Sequence, residues 1–177
     1  MSGIPTTYDG IRFRSRVEAR WSAAFDRMGW QWEYEPIDLD GYIPDFLVSM
    51  GGPRLLVEIK ATIGDEDLKA AQQKIQASGW HGEVVILSAY LDDTSSQPVV
   101  GWFGEIDSCP DGVQLVWGEA RAFRCLSCGG ISLLAGDGSW RCRGCGADDG
   151  NGHVGAVEGS LAEVWSWACN RVQWRAA

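Results

Sequence analysis

The sequence predicts an α/β protein: a central mixed sheet flanked by helices, then a small cysteine-rich unit and a C-terminal helix. Two observations carry this. An amphipathic helical pattern is followed by three strand-like segments, a second helical pattern and a buried-strand run, Val84-Val85-Ile86-Leu87. That alternation of elements is the mark of a sheet packed against helices. Two Cys-x-x-Cys-Gly motifs then stand in a Gly-rich stretch with no long apolar run.

Each element has a local reason. Asp9-Gly10 is a tight-turn pair leading into the alternating Ile11-Arg12-Phe13-Arg14. After Ser15, the residues Val17, Trp21, Ala24, Phe25 and Met28 share one helical face, and Gly29 is a helix stop. Trp30 to Glu35 alternates and ends at Pro36, as a strand does. Tyr42 to Val48 is a second strand candidate, interrupted by Pro44, and Leu55 to Lys60 a third, after Gly51-Gly52-Pro53. Asp65 to Ala77 reads as a helix and Glu83 to Ser88 as a buried strand. Val99 to Phe103 and Val113 to Trp117 are further strand candidates. Ser160 and Glu163 form a capping box before a helix with the stripe Leu161, Val164, Trp165, Ala168 and Val172.

Composition narrows the class. With 177 residues, 45% hydrophobic and 22% charged, the chain is neither fibrous nor mainly disordered. No apolar run approaches the roughly 18 residues of a membrane span, and the N-terminus lacks a signal-peptide pattern. The expected location is the cytoplasm, that of the host cell if the chain is phage-encoded. The net charge of −9 argues against tight, non-specific nucleic-acid binding. It leaves local binding open, because exposed charges are screened beyond about 8–10 Å. The arginines are clustered: Arg12, Arg14, Arg16 and Arg20 early, Arg121, Arg124, Arg141 and Arg143 late.

The chemistry concentrates between Asp45 and Lys60. Residues two apart on a strand share a face, so Glu58 and Lys60 project together, opposite Val57 and Ile59. If the second and third strands pair, Asp45 meets Glu58. Two carboxylates at one point need a cation between them, and hard oxygen ligands suit Mg²⁺ or Mn²⁺. A neighbouring lysine positions a water or offsets charge in a transition state. The plain alternative is a solvated strand face, but Leu55, Leu56, Val57 and Ile59 mark a central strand, where charges need a reason.

Pro44-Asp45 followed by Glu58-Ile59-Lys60 resembles the signature of the PD-(D/E)XK nucleases. Tyr8 to Trp21, with Arg14-Ser15-Arg16-Val17-Glu18-Ala19-Arg20-Trp21 at its end, and Tyr34-Glu35-Pro36 resemble phage and bacterial members of that superfamily. The resemblance covers the first half of the chain. It implies a restriction-endonuclease-like core and a metal site of Asp45, Glu58, the Ile59 carbonyl and Glu18, with Lys60 beside it. Glu18 also fits a capping box with Ser15, and the two roles compete for one carboxylate. Glu35 is a reserve acid, but reads better as a strand-end or salt-bridged carboxylate. Gln72, Gln73 and Lys74 lie on the helix that supplies a polar residue in related nucleases.

Cys125-x-x-Cys128-Gly129 and Cys142-x-x-Cys145-Gly146 are separated by thirteen residues. Four thiolates close a tetrahedral structural Zn²⁺ site, and each Gly permits the positive φ that follows such a knuckle. A hairpin turned at Gly136-Asp137-Gly138 would complete a zinc ribbon. Its residues Arg124, Trp140, Arg141 and Arg143 either touch nucleic acid or serve the ribbon alone. Cys109 and Cys169 lack partners at ligand spacing, and His81 and His153 read as structural or exposed.

The expected organisation is a nuclease core at 1–104, a connecting segment at 105–119, a four-cysteine zinc ribbon at 120–157 and a C-terminal helix at 158–177. The expected function is Mg²⁺-dependent hydrolysis of DNA phosphodiesters, structure-specific as in junction resolution or nicking. Glu18, Asp45, Glu58 and Lys60 would be catalytic, and Arg12, Arg14, Arg16, Arg141 and Arg143 would contact DNA. A homodimer or a protein partner would help place two cuts or deliver DNA. The rival expectation is a nuclease fold that binds nucleic acid or protein without catalysis.

Overall fold

The computed structural model describes residues 3–61, 64–92, 99–109, 112–135, 141–148, 154–155 and 160–173. A hairpin of β1 (Thr6–Tyr8) and β2 (Ile11–Phe13), turned at Asp9-Gly10, leads into α1 (Arg16–Met28). Then follow β3 (Gln31–Tyr34), β4 (Phe46–Ser49), β5 (Leu55–Lys60), α2 (Asp65–Ala77) and β6 (Val84–Asp92). The second half holds β7 (Val99–Cys109), β8 (Gly112–Cys125), β9 (Ile131–Ala135), β10 (Val154–Gly155) and α3 (Ser160–Arg171).

Eight strands make one sheet in the order β10-β8-β7-β6-β5-β4-β3, with β9 also paired to β8. Among the described residues only β5 and β6 run parallel, because α2 supplies the long crossover that a parallel pair requires. The mixed sheet expected from the element order is therefore present. β5 lies between β4 and β6, so its charged residues do sit on an interior strand.

Alternation along β5 sorts two cores. Leu55, Val57 and Ile59 face a layer formed with Phe13, Trp21, Phe25, Phe46, Phe103, Leu133 and Leu161, which α1 and α3 cover. Leu56 faces Tyr42, Leu68, Ala71, Ile75, Val84 and Ile86, which α2 covers. The stripe on α3 packs as its spacing predicts: Leu161, Ala168 and Val172 are buried, and Trp165 lies 4.8 Å from Trp21 between ring centroids. The Ser160 side chain lies outside the described residues. No helix among the described residues is long and apolar enough to cross a membrane.

Two expectations about organisation change. Segment 105–119 is not a connector. It forms the paired arms of β7 and β8, which continue the central sheet in unbroken register from Gly101↔Ala120 to Cys109↔Gly112. Among the described side chains, Leu115 and Trp117 of β8 still pack on the α2-side core. The cysteine-rich unit is likewise continuous with the sheet, since β8 ends at Cys125 and pairs with both β9 and β10. The candidate strand at 42–48 begins only at Phe46, because Pro44 cannot donate to a ladder.

Candidate functional site

The site grows from the end of one ladder. β4 and β5 pair antiparallel with Val48 opposite Leu55 and Phe46 opposite Val57. One step further, that register sets Asp45 across from Glu58. The Ile59 N–H donates to Asp45 Oδ2 at 2.6 Å in place of a strand carbonyl. Ile59 thus meets Asp45 through its amide. Glu58 Oε1 accepts from Lys60 Nζ at 2.7 Å, and Oε2 accepts from the Tyr42 hydroxyl at 2.8 Å. The Asp45 and Glu58 side chains are only 8% and 9% exposed.

Such burial of two carboxylates is costly. Loss of solvent, then the charge of Glu58 and more weakly that of Glu18, push the Asp45 carboxyl up to about 7, against the Ile59 N–H and Arg14, which favour its ionised form. Burial and the neighbouring Glu58 carboxylate also hold the Tyr42 hydroxyl firmly protonated, so it remains a donor to Glu58.

Glu18 serves the helix cap and still reaches the site electrostatically. Ser15 Oγ accepts from the Glu18 N–H at 3.2 Å and donates to Glu18 Oε1 at 2.6 Å. Glu18 Oε2 accepts from the Tyr34 hydroxyl at 2.7 Å and from the Arg14 N–H at 3.1 Å. In the usual capping box the acid returns to the cap residue's own amide. Here it reaches one residue further back and so ties β2's exit to α1 and β3. Arg14 completes the ring, with Nε 2.6 Å from Glu35 Oε1 and Nη2 2.8 Å from Asp45 Oδ1.

The fold therefore gathers Arg14, Glu18, Glu35, Asp45, Glu58 and Lys60 at one end of β4 and β5. Four acids face two cations there, and the acid most deeply buried, Asp45, is the one whose proton is held up to about 7. No three of these carboxylates bring their oxygens within 4.8 Å of one another among the described residues. Tyr34 and Tyr42 were not legible as site residues, since a tyrosine on a strand or before one reads as core. Lys74 of the candidate helix does join, with Nζ 4.8 Å above the Tyr42 ring. Gln72 is half-buried and Gln73 exposed, both on α2.

The arginines divide. Arg12 is exposed on β2, and Arg141 is exposed beside its bridge to Asp148. Arg16 and Arg20, one turn apart on α1, each bury an Nε that has no hydrogen-bond partner among the described residues. Arg143 does not stand ready for a phosphate. Its side chain is 8% exposed and clasps Glu83 in a two-pronged ion pair, one contact of which is 2.7 Å. Its Nε donates to the Leu133 carbonyl at 3.3 Å, and the guanidinium lies 5.2 Å over the Phe103 ring. Removing one partner of a buried pair strands the other, but Glu83 is partly hydrated, so the full penalty is discounted. Arg143→Ala is expected to lower stability by about 2 kcal/mol in urea unfolding, with DNA affinity little changed. A large loss of affinity without a loss of stability would restore the phosphate contact.

The four cysteines form the second site. Their sulfurs all lie within 4.8 Å of one another, and among the described residues they are the one such group of three or more metal-ligating side chains. Cys125 and Cys145 sulfurs are 3.5 Å apart, and Cys128 and Cys142 sulfurs 3.7 Å. Ligands about 2.3 Å from a tetrahedral Zn²⁺ stand about 3.8 Å from each other, so the set is compatible with zinc. The two knuckles have the same build. The Gly129 N–H donates to the Cys125 carbonyl at 2.8 Å, and the Gly146 N–H to the Cys142 carbonyl at 2.9 Å. Gly129 and Gly146 have φ of 74° and 75°, with open space where a Cβ would sit, so conformation alone selects glycine. Trp140, the 136–138 turn and His153 lie outside the described residues, as does the Cys109 side chain. Cys169 is half-buried on α3, and His81 is exposed.

No family model matches the chain, nor does any curated protein or solved structure.

Proposed function

We propose that the chain is a Mg²⁺-dependent DNA nuclease that hydrolyses phosphodiester bonds, with Zn²⁺ held structurally by Cys125, Cys128, Cys142 and Cys145. One observation carries the reading. Asp45, Glu58 and Lys60, whose order resembles the PD-(D/E)XK signature, meet at the end of an interior ladder, with Glu18 close enough to raise the Asp45 carboxyl. A fold gains nothing by burying carboxylates beside each other unless a cation or substrate repays the cost.

When bound, the divalent cation would supply Lewis acidity to a phosphate oxygen and to a water. Asp45 and Glu58 would hold it, with Glu18 assisting through its charge. Tyr42 fixes Glu58 by donating to one oxygen, and Lys60 by donating to the other. Lys60 is half-exposed and so also faces incoming substrate, where its ammonium offsets charge growing on the phosphate. Arg12, exposed on β2, offers its donors to the DNA backbone.

Cleavage of duplex, single-stranded, flapped and four-way-junction DNAs, with and without Mg²⁺, tests the activity and sorts its substrates. A protein that binds these DNAs but cuts none would favour the rival reading, a binding module on a nuclease fold. Lys60→Ala is expected to slow single-turnover cleavage by roughly 10²–10³-fold, the cost of one preorganised electrostatic donor. Binding measured in Ca²⁺ should change little. If affinity collapses while the rate at saturation holds, Lys60 is a phosphate clamp instead.

A further inference from the structure

Arg14 touches three acids at once. Its N–H donates to Glu18, its Nε to Glu35 and its Nη2 to Asp45. The Arg14 side chain is 58% exposed, whereas that of Asp45 is buried, so the guanidinium reaches the carboxylate from outside. Asp45 divides its oxygens between two kinds of partner. Oδ2 holds the Ile59 N–H, a backbone group that would be orphaned by its loss. Oδ1 holds Arg14, whose side chain can leave into water at little cost. Oδ1 is therefore the oxygen free to exchange.

Resting on the nuclease reading above, we propose that Arg14 is the internal counter-cation of the metal-free site: it yields Asp45 Oδ1 to a divalent cation and turns the freed guanidinium edge to a phosphate of the DNA. The Nε contact to Glu35 keeps Arg14 at the mouth of the site through the exchange. The carboxylates then never face one another uncompensated. Arg14 competes with the cation when DNA is absent and reinforces it when DNA is present. Cation and DNA binding are thus coupled through one side chain, and each must favour the other to the same degree.

Calcium, a cation that occupies such sites without supporting rapid hydrolysis, serves as the probe, titrated calorimetrically into the full chain with and without a duplex oligonucleotide. Arg14→Ala is expected to bind Ca²⁺ about fivefold more tightly than the wild type without DNA, the fold-change of an ion pair with one exposed partner. Arg14→Gln, which keeps a polar stem and loses the charge, should shift in the same direction. With DNA the order should reverse, and Ca²⁺ should raise the DNA affinity of the wild type more than that of either variant. If Asp45→Asn abolishes Ca²⁺ binding but both Arg14 variants bind it as the wild type does, the counter-cation role is wrong and the metal site stands. If Asp45→Asn binds Ca²⁺ like the wild type, the metal-site reading fails and this inference falls with it.

Discussion

Asp45→Asn and Glu58→Gln are each expected to reduce Mg²⁺-dependent cleavage by at least roughly 10³-fold, because each removes a charged hard ligand worth several kcal/mol of transition-state stabilisation. The amides are chosen for what they keep. Asn at 45 can still accept the Ile59 N–H while its amide NH₂ faces Arg14, and Gln at 58 keeps one of its two acceptor contacts, to Lys60 or to Tyr42, so neither change opens a cavity or strands a backbone donor. Stability gives an independent readout. The Asp45 carboxyl is pushed up to about 7, first by burial and then by the Glu58 charge, above the ordinary range near 4 of the unfolded chain. An acid raised in this way binds more protons folded than unfolded. Its ionisation therefore costs nothing below the unfolded value, costs progressively more as pH rises toward 7, and costs its full amount above 7. Asn carries no such cost. In buffer free of Mg²⁺, Asp45→Asn should be more stable than the wild type at pH 8, on the order of 3 kcal/mol, and gain little near pH 4. Activity lost while stability is gained marks a residue kept for function. Cleavage by both variants at the wild-type rate would remove the proposed site, and a destabilised Asp45→Asn at pH 8 would make Asp45 a structural residue.

The parts legible in the sequence are those that local chemistry determines. β5 and α2 were found at their observed limits, since a dense apolar run bounded by a Gly-Gly-Pro turn and a helix-period stretch each define themselves. The meeting of Asp45 with Glu58 followed from strand parity plus one assumption, that β4 and β5 pair. Glu18 showed both its possible roles, but only the fold could show that one carboxylate caps the helix while its charge still bears on Asp45. What stayed hidden depends on contacts far apart in sequence. Nothing near Arg143 announces Glu83 or Phe103, so its neighbours in the Cys-rich loop made it look like a surface cation. Tyr42 looked like strand interior, because its bond to Glu58 exists only once the chain turns at Asp40-Gly41. β7 and β8 showed only their apolar segments, Val99 to Phe103 and Val113 to Trp117, because the ladder that carries them on to Cys109 and Cys125 leaves no local sequence pattern.

Loss of the zinc ligands is expected to unfold more than the Cys-rich unit. An isolated ribbon would melt alone at residues 120–157 and leave the core intact. The contacts argue otherwise. Cys125 is the last residue of β8, an arm of the central sheet. The Trp30 Nε1 donates to the Ile131 carbonyl at 2.9 Å, the Leu133 N–H to Met50 Sδ at 3.3 Å, and Arg143 holds Glu83 just before β6. The second knuckle lies directly on the β4–β5 turn: a Cβ at Gly51 would come within 2.8 Å of Gly144 Cα, and one at Gly52 within 2.6 Å of the Arg143 carbonyl oxygen. β4 and β5 are the strands that bring Asp45 to Glu58. Zinc bound by four thiolates contributes about 10–16 kcal/mol of apparent binding free energy in small zinc domains, comparable to the whole stability of a typical domain. Cys142→Ser, or zinc stripped after thiol modification, should therefore lower the unfolding midpoint of the entire chain in a single transition. Hydrogen exchange should show β3, β4 and β5 losing protection together with residues 125–147. Mg²⁺-dependent cleavage should fall even though no residue of the carboxylate site has changed. Protein purified under reducing conditions should contain one zinc per chain, and its absence would overturn the zinc assignment. Should the variant keep full protection in β4 and β5 while 125–147 exchanges freely, the ribbon is an independent unit, and the contacts through Trp30, Met50 and Arg143 carry no shared stability.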